Sequence, residues 1–154
     1  MRLATLLIGL LLPACGQSTD GIATPAPMDL TRIVRRKMPN TALAAPAGFV
    51  PRPDIVTSVY KLAASSLYAA VRATAAAQPR TYQLVAYGDR LQVHFVVRSA
   101  VFGFPGLVAA QASPDGNGST LILWSRSVYG RFDFGVNAKR VRTWLAALNA
   151  RVAH

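Results

Sequence analysis

Tyr82-Gln83-Leu84-Val85-Ala86-Tyr87-Gly88-Asp89-Arg90-Leu91-Gln92-Val93-His94-Phe95-Val96-Val97-Arg98 is the stretch that decides the fold. Side chains alternate on either side of a Gly88-Asp89 turn, the period-two pattern of two hairpin-linked strands. Tyr82, Leu84 and Ala86 are expected to share a face of the first strand. Leu91, Val93, Phe95 and Val97 form the core face of the second, leaving Gln92, His94, Val96 and Arg98 on a partly polar opposite face. Beyond a Gly/Pro loop, Gly103 to Gly106, a short strand is expected near Leu107–Ala112. Asp115-Gly116-Asn117-Gly118 is a hairpin signal that leads into another strand, Thr120–Arg126. On the N-terminal side, β-branched residues make Ile55–Tyr60 a first strand. Ser65 or Ser66 can cap a helix to about Ala77, with Leu67, Val71 and Thr74/Ala75 on one face and Gln78-Pro79 as its stop. The last helix begins near Asn137 and places Val141, Trp144, Leu145 and Leu148 on one side. The order β-α-β-β-β-β-α predicts an α+β domain over 54–151. Its antiparallel β-sheet has about five strands, with two helices packed on one face.

The residues ahead of this domain read differently. Pro39, Pro46, Pro51 and Pro53 exclude long regular elements from 28–53, which is expected to be an extended arm wrapped over the domain. Residues 15–27 are small, polar and proline-containing, a linker. Residues 1–14 join Arg2 to an apolar run, Leu3 to Leu12, too short for a bilayer span of about 20 residues. They fit an export signal. Cys15, the only cysteine, follows Leu12-Pro13-Ala14, and this placement resembles the lipobox of bacterial lipoproteins, in which the thiol is acylated. The alternatives are an ordinary secretory signal or a mis-assigned start with a buried structural cysteine. On the lipoprotein reading the protein is exported and membrane-anchored, facing the periplasm or cell envelope, and has no disulfide.

The chain has 154 residues, 52% of them apolar, which suits one globular domain. Lys and Arg number 17 against 6 acids, all aspartates, for a net charge of +11. Such a balance fits nucleic acid or anionic lipid. Export and the absence of aromatics alternating with the arginines argue against nucleic acid. Arg32, Arg35, Arg36 and Lys37 cluster behind the anchor, where each charge can add about 1 kcal/mol of attraction to an anionic leaflet. A solvated basic surface is the alternative.

No metal or cofactor is expected: two distant histidines and one lipidated cysteine lack ligand spacing. Dispersed aspartates without glutamate argue against paired-carboxylate catalysis. Ser125 or Ser127, His94 and Asp133 can be written as a nucleophilic triad, but no G-x-S-x-G elbow supports it. Gly116 and Gly118 do not form a phosphate loop. The densest polar cluster runs from Ser125 to Asn137, between the last strand and helix. Structurally, Asn137 can cap the helix and Asp133 can pair with Arg126 or accept backbone N–H bonds. Functionally, Lys139, Arg140 and Arg142 stand where the helix dipole disfavours cations, and could meet an anion.

Ser125-Arg126-Ser127, Gly130, Asp133-Phe134-Gly135-Val136-Asn137 and Lys139-Arg140-Val141 closely resemble the C-terminal signature of the domain of unknown function 1499 family. Arg98-Ser99 with Phe104-Pro105, and the stretch from Pro39-Asn40 to Gly48-Phe49, extend the likeness over about Asp29 to Leu148. The resemblance implies an aspartate after Phe-Pro, where this chain has Gly106. It implies a domain but no activity. The leading expectation is therefore a non-enzymatic envelope lipoprotein that binds an anionic envelope component or a protein partner. Its cluster is His94, Arg98, Ser125, Arg126, Ser127, Asp133, Asn137, Lys139 and Arg140. A serine-dependent hydrolase-like enzyme and a purely structural module are the alternatives.

Overall fold

The computed structural model describes residues 19–35 and 39–153. The expected export signal, Cys15, Arg36 and Lys37 lie outside the described residues. The fold is α+β: a six-stranded sheet in the order β2-β1-β6-β5-β4-β3 carries two helices. In chain order the elements are β1 (Thr41–Pro46), β2 (Ile55–Thr57), α1 (Ala64–Ala76), β3 (Thr81–Tyr87), β4 (Gln92–Arg98), β5 (Pro105–Asp115), β6 (Gly118–Ser127) and α2 (Val136–Val152). Neighbours pair antiparallel except β1 with β2, which are parallel, so the sheet is mixed.

β1 is the strand that the prolines hid. Pro39 precedes it and Pro46 closes it, so they bracket the strand without breaking its ladder. Part of the expected arm is therefore an interior strand, seated between β2 and β6. The rest does wrap the sheet: Leu30 and Ile33 are buried against Leu43, Ala45, Ala109 and Ile122, with Met28, Phe49 and Trp124 beside them.

Both helices cover the other face. Leu67, Val71 and Ala75 of α1 and Val141, Trp144, Leu145 and Leu148 of α2 bury Val93, Phe95, Val108, Ala110, Leu121 and Leu123. Phe95 meets Trp144 edge-on, with ring centroids 5.5 Å apart. α1 starts after Ala63, which makes no side-chain cap, and not at Ser65 or Ser66. In β3 the expected alternation fails. A register shift between Gln83 and Val85 makes Leu84 a bulge, so Tyr82 opposes Val96 while Ala86 opposes Val93 on the other face.

The linker is not a free spacer throughout. Arg98 Nη2 donates to the Asp20 carbonyl at 2.6 Å, and the Tyr87 hydroxyl donates to the Pro25 carbonyl. Among the described residues no helix is long and apolar enough to cross a membrane.

Candidate functional site

Strand geometry divides the expected cluster. Phe95, Val108, Ser125 and Ala42 lie in register across four strands and face the helices, whereas His94, Ala109, Trp124 and Leu43 face the arm. Ser125 and His94 therefore point to opposite sides of the sheet, and the triad of Ser125 or Ser127 with His94 and Asp133 is not assembled.

On the helix face, Ser125, Ser127, Asp133, Asn137 and Arg140 do converge. Asn137 is fully buried and is the hub. Its Oδ1 accepts from the Ser125 hydroxyl at 2.6 Å and from Arg140 Nη1 at 2.7 Å. Its Nδ2 lies within bonding distance of the Asn40 carbonyl at 2.9 Å, Ser127 Oγ at 2.9 Å and Asp133 Oδ2 at 2.7 Å. Asn137 is thus not the helix cap. Gly135 holds that position at φ 78°, a left-handed conformation suited to glycine, and Asp133 does the capping. One carboxylate oxygen accepts from Gly135 N and the other from Asn137 N, both at 3.0 Å. Asn40 ties this network to the last loop, donating to the Gly130 carbonyl at 2.9 Å. Its role was not foreseen, although Pro39-Asn40 carries part of the family resemblance.

Arg140 is half-buried, and its Nη1 also donates to Ser125 Oγ at 3.0 Å. Burial pulls its pKa down, while the charge of Asp133 opposes that shift. Both oxygens bonded to Nη1 are neutral. Gly106 packs directly on this guanidinium: a Cβ there would stand 3.0 Å from Nη1. At the position where the resemblance implies an aspartate, the chain thus presents backbone against Arg140. Lys139, next to it, is exposed.

Arg140 lines a groove of about 660 Å³ between the loop from β4 to β5 and the loop from β6 to α2. Its walls are apolar. Phe134, Phe102, Phe132 and Phe104 are 98%, 75%, 65% and 60% exposed, far from the core their side chains would ordinarily join. Phe102 and Phe104 stack at 5.5 Å, and Ser99 closes their loop, its Oγ accepting from Phe104 N at 2.9 Å. Phe104 and Phe134 carry part of the family resemblance, but the sequence assigns none of these aromatics a role, because phenylalanine in a loop reads first as core. The signal was present in Phe102-Gly103-Phe104 and Phe132-Asp133-Phe134, paired aromatics beside glycines that no strand or helix pattern claims.

On the opposite face, His94 and Arg126 make separate contacts. His94 is buried, with Nε2 at 3.0 Å from Gln92 Oε1 and the Tyr87 ring edge-on at 5.9 Å. Met28 N also donates to that oxygen at 2.9 Å, which fixes the amide orientation and makes His94 Nε2 the proton-bearing nitrogen. Burial lowers the His94 pKa, with the Arg126 charge adding to the effect. Arg126 stacks over Trp124 at 5.5 Å. Arg98 belongs to the groove end, where Nη1 reaches the Gly103 carbonyl at 3.2 Å. Among the described residues no three His, Cys, Asp or Glu side chains are placed to hold a metal.

No curated protein matches the chain. The family model described as Protein of unknown function (DUF1499) matches residues 22–148, a span that contains the whole sheet, the arm, the groove and most of α2, and the chain belongs to that family.

Proposed function

We propose that this protein is an exported lipoprotein, anchored through Cys15, whose domain binds an anionic amphiphilic component of the cell envelope without transforming it. The observation that carries the reading is the Arg140 guanidinium lining a mostly apolar groove, whose one carboxylate, Asp133, is held in capping α2. Arg140 supplies positive charge in a site where burial weakens the competition from water. The phenylalanines of the two loops supply apolar walls, so an occupant with a charged head and a hydrocarbon body satisfies both. The network around Asn137 favours a structural role for Ser125, Asp133 and Asn137, which hold Arg140 in place. A hydrolytic role has no support from the placement of His94.

Calorimetric titration of the unlipidated Cys15→Ser chain with dodecyl phosphate, against neutral dodecyl maltoside, tests this reading. The phosphate should bind more tightly than the maltoside. Arg140→Gln should weaken it by roughly tenfold or more, the value of a charge-assisted hydrogen bond, while Arg140→Lys retains part of the preference. Equal binding of both amphiphiles, unchanged by Arg140→Gln in a normally melting variant, would reject an anion site there. Binding of an envelope protein with no response to either amphiphile would favour the protein-partner alternative.

A further inference from the structure

We propose that the end of the domain bearing Phe102, Phe104, Phe132 and Phe134 lies directly against the anchoring bilayer, with these rings in its headgroup region. This inference rests on the reading of Cys15 as the lipid anchor and adds an orientation to it.

Three observations point to that end and to that partner. First, the exposed aromatics are confined to it. Arg98 opposes Pro105 and Gly106 opposes Ser127 at this end of β4, β5 and β6, so the two phenylalanine-bearing loops project together. The other end of the same strands carries Asp89, Arg90 and Asp115 in its turns, and Val59 is exposed beside Gly118, but no aromatic ring is exposed there. Contiguous apolar surface on that scale marks an interaction site. Phenylalanine on an apolar surface flanked by cations buries at the boundary between headgroups and acyl chains.

Second, the charge around the aromatics suits anionic headgroups. Arg80 joins β4 at this end, its carbonyl accepting from Arg98 N at 2.9 Å, and its side chain is exposed. Arg131 directly precedes Phe132 and Lys139 is in the first turn of α2, both exposed. Asp133, the carboxylate within the loop, is engaged in capping α2. Basic side chains at this depth are drawn to an anionic leaflet.

Third, the tether leaves from the same end. Arg98 holds the Asp20 carbonyl with one nitrogen and the Gly103 carbonyl, inside the aromatic loop, with another. Five Cα–Cα steps separate Cys15 from Asp20. Fully extended, they reach about 18 Å. An acylated Cys15 therefore keeps this end, and not the Asp115 turn, within a short distance of the bilayer. A groove opening between rings set in the headgroups also receives an amphiphile straight from the membrane.

The test uses the lipid-anchored chain reconstituted into phosphatidylglycerol–phosphatidylethanolamine vesicles. Because the chain has one cysteine, and acylation consumes it, an introduced cysteine takes a polarity-sensitive dye uniquely. Dye on Phe134→Cys, and on Phe102→Cys as a second position, should shift to the blue and be quenched by nitroxide-bearing lipid. Dye on Asp115→Cys should remain in water. Aqueous spectra at all three positions, or deeper burial at 115, overturn the orientation while leaving an anchored binding module intact. A thiol at Cys15 that accepts dye in the unsubstituted chain overturns the anchor and this inference together.

Discussion

His94 is a neutral side chain by virtue of its surroundings. Burial lowers its pKa below the ordinary 6.5, Arg126 pushes the same way, and Gln92 fixes its tautomer. Its protonation is favoured in the unfolded chain and disfavoured in the native one, so the unfolded state binds more protons between the two pKa values. Stability is then fully present above pH of about 6.5 and falls as the pH drops below it. Thermal melts from pH 7.5 to 5 should show that loss, and His94→Gln should flatten it; an equal slope in the variant would place the titration elsewhere. The alternation of β4 made the position of His94 legible, since Val93, Phe95 and Val97 had to face the helices. Its burial was not legible, because the residues that cover that face, Met28 and Leu30, lie in a segment without periodicity. Asp133 was foreseen as an acceptor of backbone N–H bonds, and it is one. The exchange of roles between Asp133 and Asn137 needed the left-handed Gly135 to be seen.

At the scale of elements, the hairpins and amphipathic helices were readable and the irregular pieces were not. The pattern over 91–97 and the Val141–Leu148 spacing each matched one buried face. β1 was missed because Ala42-Leu43-Ala44-Ala45 has neither β-branched residues nor alternation. It is buried on both faces, and small residues suffice there. The bulge at Leu84 left no mark in composition. Gly118 shows a sequence signal with a second cause. Read as part of a turn, it is also required by the close approach of Tyr60, whose carbonyl would stand 2.4 Å from a Cβ at 118. Tyr60 N bonds the Ser119 carbonyl at 2.8 Å and Ser119 N returns the bond at 2.9 Å, so the β2–α1 connection cannot move away freely. Gly118→Ala should cost about 1–3 kcal/mol, the usual range for overpacking a tight site. Denaturant titration measures it; a stability within error of the parent would show that this connection gives way.

For the whole molecule, the division into two faces and two ends organises what the residues do. One face is covered by the helices and much of the other by the wrapped arm, which leaves a groove of about 520 Å³ beside Trp124 and Arg126. Among the described residues, one end of the sheet combines exposed phenylalanines, a half-buried arginine and the contact between Arg98 and Asp20. Composition indicated a basic protein, but not that cations and aromatics meet in one place. That meeting depends on β4, β5 and β6 ending together and on α2 starting beside them. Chemical-shift mapping of the labelled Cys15→Ser chain during titration with dodecyl phosphate locates the binding surface directly. Saturable shifts are expected to be confined to 99–106 and 129–140, including the Arg140 side-chain N–H. Shifts centred instead on Met28–Val34 and Trp124, or none at saturating amphiphile, would contradict that placement.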